Sequence, residues 1–462
     1  MHYVSLIIEF LRGRPAVVFW TAALTQAALW TVIPALFYSA PPGEVPLLLA
    51  IGHEFVLGSY LGPPLAFWLG ELTFRLAGVF GLYALAQACI VVAYWAVFTL
   101  GRAIVGTRHA VLGVLLMVGI AAFTVPSPDF GPAVLAAPLW ALALLHYWRA
   151  VGEGKRGFWF LLALDLGLLL LANYIGLILL ALMILFTLAS ARGRRELLNP
   201  EPWIAVLPFA IVVFPHTAWL ETARDLVVSG FNDSAAAAGK LSPGVWLCIA
   251  LVLSHLGLGL LVALASGWPR RRRERAPEID RTPVEPFARW FVYFFALAPA
   301  AAAIAIAFAS GRLGPLDRVA PLVVLSGLAV VVAAGDQVLL YRERLVSSAW
   351  LGLLVAPPVL VVLGLLVLPW TVAVDLRIAQ PANPEGRFFA DNFQRRTGKP
   401  LTSLPAMQRW RRWLRSARPA GHMSISTGRR SVVPGQAPPI SARRAVFWCG
   451  RPPTIPARRR RR

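Results

Sequence analysis

Apolar residues occur along this chain in runs that are too long and too frequent to be buried in one soluble core. Each run approaches the roughly 20 residues that cross a hydrocarbon layer as an α-helix. The runs 157–173 and 174–190 are expected to be two short spans that meet near Asn173. The pattern predicts eleven membrane-spanning helices, near residues 16–39, 79–101, 110–126, 131–148, 157–173, 174–190, 202–219, 244–266, 290–310, 319–335 and 350–374.

Charged side chains between the runs predict the orientation of the chain. Arginine and lysine are concentrated in alternate loops, as the positive-inside rule expects of cytoplasmic loops. We therefore predict a cytoplasmic N-terminus, and the odd number of spans then puts the chain after Thr371 outside. The basic positions are Arg102, Arg108, Arg149, Lys155, Arg156, Arg192, Arg194, Arg195, Arg270 to Arg273, Arg275, Arg342 and Arg344.

Composition agrees with a polytopic membrane protein and excludes a disordered chain or a coiled coil. The 462 residues are 58% hydrophobic and 14% charged, whereas soluble proteins average roughly 25% charged residues. Three cysteines are too few and too scattered for a disulfide framework or a metal cage. The sequence therefore predicts an all-α membrane domain over residues 1–374.

The net charge of +22 comes mostly from the last part of the chain. Residues 401–462 contain 15 arginines, no lysine and no acidic residue. So much like charge with so little to bury cannot build a folded domain. A basic tail that binds anionic lipid or nucleic acid is one interpretation. We favour a frameshift of a GC-rich gene, and we expect no nucleic-acid partner.

The first predicted outer loop, residues 40–78, is amphipathic and longer than a connection requires. It predicts short helices along the membrane surface, interrupted at Gly62–Pro64. Its acids, Glu44 and Glu54, suit proton transfer from a hydroxyl of a lipid-borne substrate. Asp129, in the next outer loop, is expected at the same membrane face. Two other interpretations stay open: Glu44 as a solvated charge, and Asp129 as the N-cap of the following helix.

Several short motifs follow one another in an order typical of one family. Glu44 stands 18 residues before Gly62, and Gly62 begins a Gly-Pro-Pro-Leu segment that precedes Trp68. Further motifs are Pro128 with Asp129, the segment 168–175 (LLLLANYI), Phe214 and Pro215 with Trp219, and the segment 388–400. Together they resemble bacterial members of glycosyltransferase family 39, relatives of protein O-mannosyltransferases and of the aminoarabinose transferase that modifies lipid A. The resemblance covers roughly residues 15–400.

The resemblance implies a GT-C-type bundle of about 11 transmembrane helices in the inner membrane, with its active face in the periplasm. It implies sugar transfer from a polyprenyl phosphate, usually undecaprenyl phosphate, to a lipid or envelope-glycan acceptor. Residues 375–400 would begin an external C-terminal region. Glu44 would be the catalytic base and Asp129 the second acid.

Other residues of the predicted outer face are expected to bind substrate. A donor phosphate needs a cation or a metal. No metal is expected, although a divalent ion on carboxylate oxygens stays open. The candidate substrate-binding residues are Glu54, Tyr60, Pro63, Pro64, Arg75, Arg224 and Lys240.

Three positions depart from the family pattern. Val45 stands where the family has a second acid, Gly62 where it has histidine, and Asn173 where it has lysine. These departures indicate a divergent subfamily or a member that has lost activity. The alternative function is therefore a non-catalytic membrane protein, either a transporter or flippase of lipid-linked sugars or an inactive family member.

Overall fold

The computed structural model describes residues 13–236, 242–267, 278–280, 283–313, 319–339, 343–371, 377–380 and 382–398. The predictions for Lys240, for most of the basic linker 268–286 and for the arginine-rich tail 401–462 lie outside these residues. The helices are α1 Pro15–Phe37, α2 Val45–Gly52, α3 Leu65–Val105, α4 Thr107–Met117, α5 Pro132–Tyr147, α6 Phe158–Ala172, α7 Gly176–Ala189, α8 Ala191–Glu196, α9 Glu201–Ile204, α10 Val206–Ala236, α11 Pro243–Ser254, α12 Leu256–Ala265, α13 Pro286–Ser310, α14 Ser326–Ala333, α15 Glu343–Thr371 and α16 Ala382–Thr397.

Short irregular elements complete the described part of the chain. Single turns of 3-10 helix lie at Ala121–Phe123, Ala320–Val323 and Arg377–Ala379, and a π-helical turn, Trp148–Gly152, extends α5. Two strands, β1 Glu278–Asp280 and β2 Gln337–Leu339, pair antiparallel with Ile279 opposite Val338.

The all-α membrane fold predicted from the hydrophobic runs is confirmed. Within the described ranges seven helical segments are long and apolar enough to cross a membrane, namely Pro15–Phe37, Leu65–Val105, Pro132–Gly152, Glu201–Asp225, Pro243–Ala265, Pro286–Ser310 and Arg344–Thr371. Four shorter apolar helical segments accompany them: Thr107–Met117, Phe158–Ala172, Gly176–Ala189 and Ala320–Ala333. The number of eleven spans stays a prediction, because the four short segments are too short to cross alone.

The first loop is built from short helices, as its amphipathic pattern predicts. Helix α2 follows Glu44 directly, and α3 begins after the two prolines at 63 and 64. Within α3 the helical backbone is interrupted at Ala77 and Gly78, and Gly78 adopts a φ of +60°. The interruption separates a first segment of α3, which carries Glu71, from the long apolar segment that follows.

One predicted span ends earlier than its hydrophobic run. The run 110–126 is helical only as far as Met117, where α4 ends. Gly119 then packs against the backbone of Leu258, so closely that a Cβ atom at Gly119 would lie 2.7 Å from the Leu258 nitrogen. Residues 120–130 form a largely irregular, partly buried segment, which we call the acid loop because it carries Asp129.

Candidate active site at one end of the bundle

The two predicted catalytic acids meet at the same end of the bundle. The backbone N–H of Glu44 donates a hydrogen bond to Asp129 Oδ1 over 3.0 Å, although the two residues are 85 positions apart. Glu44 occupies the N-cap position of α2 and is exposed, whereas Asp129 is half-buried. The Asp129 carboxylate therefore binds the backbone at the first acid and fixes the start of α2.

Gly43 makes this contact feasible. It adopts a φ of +54°, and the Asp129 carboxyl group occupies the space that a side chain at Gly43 would need. Asp129 is not the N-cap of the next helix, because Gly131 occupies that position before α5. The structure thus contradicts the interpretation of Asp129 as a helix N-cap.

A small apolar cluster packs next to both acids. Val45 and Phe130, each the neighbour of one acid, are both 0% exposed and pack together with Leu48 and Phe67. Val45 is the position where the related family has a second acid. In this chain that position is part of the hydrophobic core, so a single carboxylate remains at the start of α2.

Arg75, a predicted phosphate ligand, is paired with an acid. Its Nε atom donates to Glu71 Oε1 over 2.7 Å, and His53 Nδ1 lies 3.0 Å from the same oxygen. The Arg75 guanidinium also lies 5.1 Å from the ring centre of Phe55, which has an unusual φ of +48°. His53 and Glu44 lie at opposite ends of α2, about 13 Å apart along the helix axis.

A third group of polar residues connects the first loop to distant helices. His216 on α10 donates from Nδ1 to the Leu57 carbonyl over 2.8 Å, and its Nε2 atom accepts from the Tyr174 hydroxyl over 2.9 Å. Trp219 stacks on His216 and fills the space beside Gly58.

The remaining predicted site residues differ in exposure. Glu54 and Arg224 are exposed, and Tyr60 is half-buried. Pro63 and Pro64 are buried at the start of α3. Their contact with a substrate stays a prediction.

Sequence reasoning did not place Glu71 or His216 in the site. The four-residue spacing of Glu71 and Arg75 on one helix is a signal for their ion pair. No local signal indicates the contact of His216 with Leu57, since 159 positions separate them.

Two departures from the family pattern have structural consequences here. Gly62 adopts a φ of +134° and exchanges two backbone hydrogen bonds with Ser59, at 3.0 and 3.1 Å. A histidine would be strained in that conformation. Asn173 turns the chain between α6 and α7, where its Oδ1 atom accepts from the Ile175 N–H over 3.0 Å.

Among the residues that the structure describes, no group of three or more His, Cys, Asp or Glu side chains could hold a metal ion. The Glu44 and Asp129 pair provides two carboxylates, of which one accepts a backbone hydrogen bond.

Comparison with known proteins agrees with the resemblance read from the motifs. Residues 62–219, about a third of the chain, match the family described as dolichyl-phosphate-mannose-protein mannosyltransferase. The match begins at the Gly-Pro-Pro segment and ends at Trp219. No curated protein sequence matches the chain at a significant level.

The fold is similar to that of ArnT from Cupriavidus metallidurans. The crystal structure of ArnT bound to undecaprenyl phosphate aligns with a TM-score of 0.51 and 15% identity, over 79% of this chain and 67% of ArnT. The apo structure of the same protein aligns with a TM-score of 0.49 and 16% identity, over 79% of this chain and 66% of ArnT. The chain thus spans about two thirds of the length of ArnT.

A more distant likeness is to the oligosaccharyltransferase of Archaeoglobus fulgidus in complex with zinc and sulfate. It has a TM-score of 0.39 and 15% identity, over 75% of this chain and 52% of that one. The helical membrane fold and the ArnT likeness define a class of polytopic membrane proteins. The chain has an ArnT-like GT-C fold.

Proposed function

We propose that this protein is a membrane glycosyltransferase. It moves a sugar from a polyprenyl phosphate, of the undecaprenyl type, to a lipid or envelope-glycan acceptor. The observation that carries the proposal is the contact of Glu44 with Asp129, at the start of an amphipathic segment in a GT-C fold. ArnT, whose fold is similar, binds undecaprenyl phosphate, which supports this class of donor.

The proposed reaction needs one base. The Glu44 carboxylate takes the proton of the acceptor hydroxyl while the hydroxyl oxygen forms a bond to the anomeric carbon of the sugar. The bond from that carbon to the phosphate oxygen breaks, and the polyprenyl phosphate leaves with its electron pair. Asp129 is the proposed second acid, which helps to position the acceptor or the donor, and its Oδ1 atom also accepts the Glu44 N–H.

The position of the site is part of the proposal. The excess of arginine and lysine in alternate loops supports a cytoplasmic N-terminus and a periplasmic active face in the inner membrane. Arg224 and Lys240 are the proposed cations for the donor phosphate. Arg75 is less suited to that role, since Glu71 already balances its charge, beside His53 at the end of α2 opposite to Glu44.

Mass spectrometry of lipids and envelope glycans tests the proposal in a deletion strain. The strain is complemented with wild-type protein, with Glu44→Gln, or with Glu153→Gln as a matched control. Glu153 is an exposed acid in the Trp148–Lys155 turn, where it pairs with Lys155. We expect one sugar-modified species to disappear in the deletion strain, to return with wild type and Glu153→Gln, and to stay absent with Glu44→Gln.

Other outcomes distinguish the alternatives. Full restoration by a well-expressed Glu44→Gln protein would contradict the assignment of the base. An unchanged set of species in all strains would contradict the transferase function and favour a transporter or an inactive family member. The three departures from the family pattern, at positions 45, 62 and 173, are the reason that an inactive family member remains an alternative function.

A further inference from the structure

The acid loop, residues 120–130, is largely irregular backbone, and several of its side chains are buried although Val125 is 51% exposed. Phe123 and Phe130 are 0% exposed, and Thr124 and Ser127 are 3% and 1% exposed. Backbone polar groups in such surroundings must find partners inside the protein. Turn-type hydrogen bonds within the loop, such as Asp129 N–H to Pro126 O at 3.1 Å, satisfy some of them. Side chains from three other helices supply further partners.

Two of these side chains hold the first half of the acid loop. Gln26 on α1 donates from Nε2 to the Phe123 carbonyl over 2.8 Å, and its Oε1 atom accepts from the Tyr94 hydroxyl over 3.2 Å. Ser254, at the end of α11, accepts from the Ala122 N–H over 3.3 Å. These bonds satisfy main-chain groups of the loop, so they are needed for folding.

The third side chain, Gln87 on α3, acts differently. Its Nε2 atom donates to the Ser127 hydroxyl over 2.9 Å, and that hydroxyl donates to the Thr124 carbonyl over 2.6 Å. Gln87 is 1% exposed, and its Oε1 atom has no hydrogen-bond partner among the described residues. A buried acceptor without a protein partner is unfavourable, and it offsets part of the stability that the bond to Ser127 contributes.

The bond from Gln87 reaches the acid loop two residues before Asp129. Ser127 lies in the turn that directs the Asp129 carboxylate toward Gly43 and the Glu44 N–H. The chain of contacts thus runs from a membrane-spanning helix through one hydroxyl to the acid that holds Glu44.

We propose that Gln87 is a positioning residue of the site. It fixes Ser127, and through Ser127 it keeps the Asp129 carboxylate against Glu44. Its effect on sugar transfer rests on the proposed function. Its effect on the contact of Asp129 with Glu44 does not, and this part is tested without turnover.

Hydrogen–deuterium exchange of the purified protein in lipid nanodiscs measures that contact. Gln87→Leu and Ser127→Ala are compared with wild type, with the double variant, and with Thr187→Val as a matched control. Thr187 is a buried hydroxyl that contacts Tyr147 over 2.6 Å, away from the acid loop. The thermal midpoint Tm is measured for every variant.

The proposal makes three linked predictions. Gln87→Leu and Ser127→Ala each raise the exchange rate of the Glu44 amide, followed in a peptide that begins at Pro42 or earlier, by about tenfold, since that hydrogen bond to a carboxylate is lost. The double variant matches the single variants, because both act through one bond. Gln87→Leu changes Tm little, and Thr187→Val leaves the Glu44 amide as in wild type.

Two results would overturn the proposal. One is a Glu44 amide whose exchange is unchanged in both Gln87→Leu and Ser127→Ala. The other is a fall in Tm with a uniform rise in exchange over all helices, which would make Gln87 a stabilising residue only. If the exchange result holds while Glu44→Gln remains active in cells, the positioning role stands and the proposed base is wrong.

Discussion

Gly43→Ala is the sharpest perturbation of the proposed site. A Cβ atom at Gly43 would overlap all three terminal atoms of the Asp129 side chain. Real Cβ contacts essentially never fall under 3.0 Å, so the carboxylate must move by about 1 Å or more. A shift of that size in a catalytic arrangement reduces the rate by about 100-fold.

The variant also has a cost that is unrelated to the site. Alanine at a φ of +54° is less stable than glycine by about 1 kcal/mol. Gly311→Ala is the matched control, because Gly311 has a φ of +64° and a Cβ atom there meets nothing within 4 Å. Both variants should lose similar stability, and only Gly43→Ala should lose activity.

The assay is the rate at which the sugar-modified species accumulates after induction in the deletion strain, with expression and Tm measured alongside. A rate near wild type for Gly43→Ala would refute the reasoning that Asp129 must bind the start of α2. Equal losses of activity for both glycine variants would assign the effect to backbone strain instead. Asp129→Asn keeps an acceptor oxygen for the Glu44 N–H, so we expect it to retain more activity than Gly43→Ala.

Three further predictions concern stability. His146 Nδ1 lies 2.5 Å from Asp165 Oδ2 between α5 and α6, so removing either partner alone should cost about 3–5 kcal/mol, and replacing both with leucine should recover most of it in chemical denaturation. Gly58→Ala would place a Cβ atom 2.4 Å from the nearest atom of the Trp219 ring, so it should cost about 1–3 kcal/mol, and Trp219→Leu in the same chain should restore Tm. Asn173→Ala removes the acceptor for the Ile175 N–H and should lower stability by about 1 kcal/mol, while a larger loss would contradict a local turn role.

The sequence by itself determined the class of fold. Crossing a bilayer is a local requirement, because every helix must satisfy its own backbone and present an apolar surface over about 20 residues. The hydrophobic runs therefore located the long helices, and the prolines at 63 and 64 located the start of α3. The acids at 44 and 129 were identifiable from motif order, as was the break near Asn173.

Only the tertiary structure decided what those residues do to one another. Gly119, just after the end of α4 at Met117, packs closely on the backbone of Leu258, a contact between residues 139 positions apart. The bond of Asp129 to the Glu44 backbone needs Gly43, the acid loop and α2 to meet at one place. Such contacts depend on the packing of helices that are distant in sequence, and no local pattern of hydrophobic and polar residues encodes them.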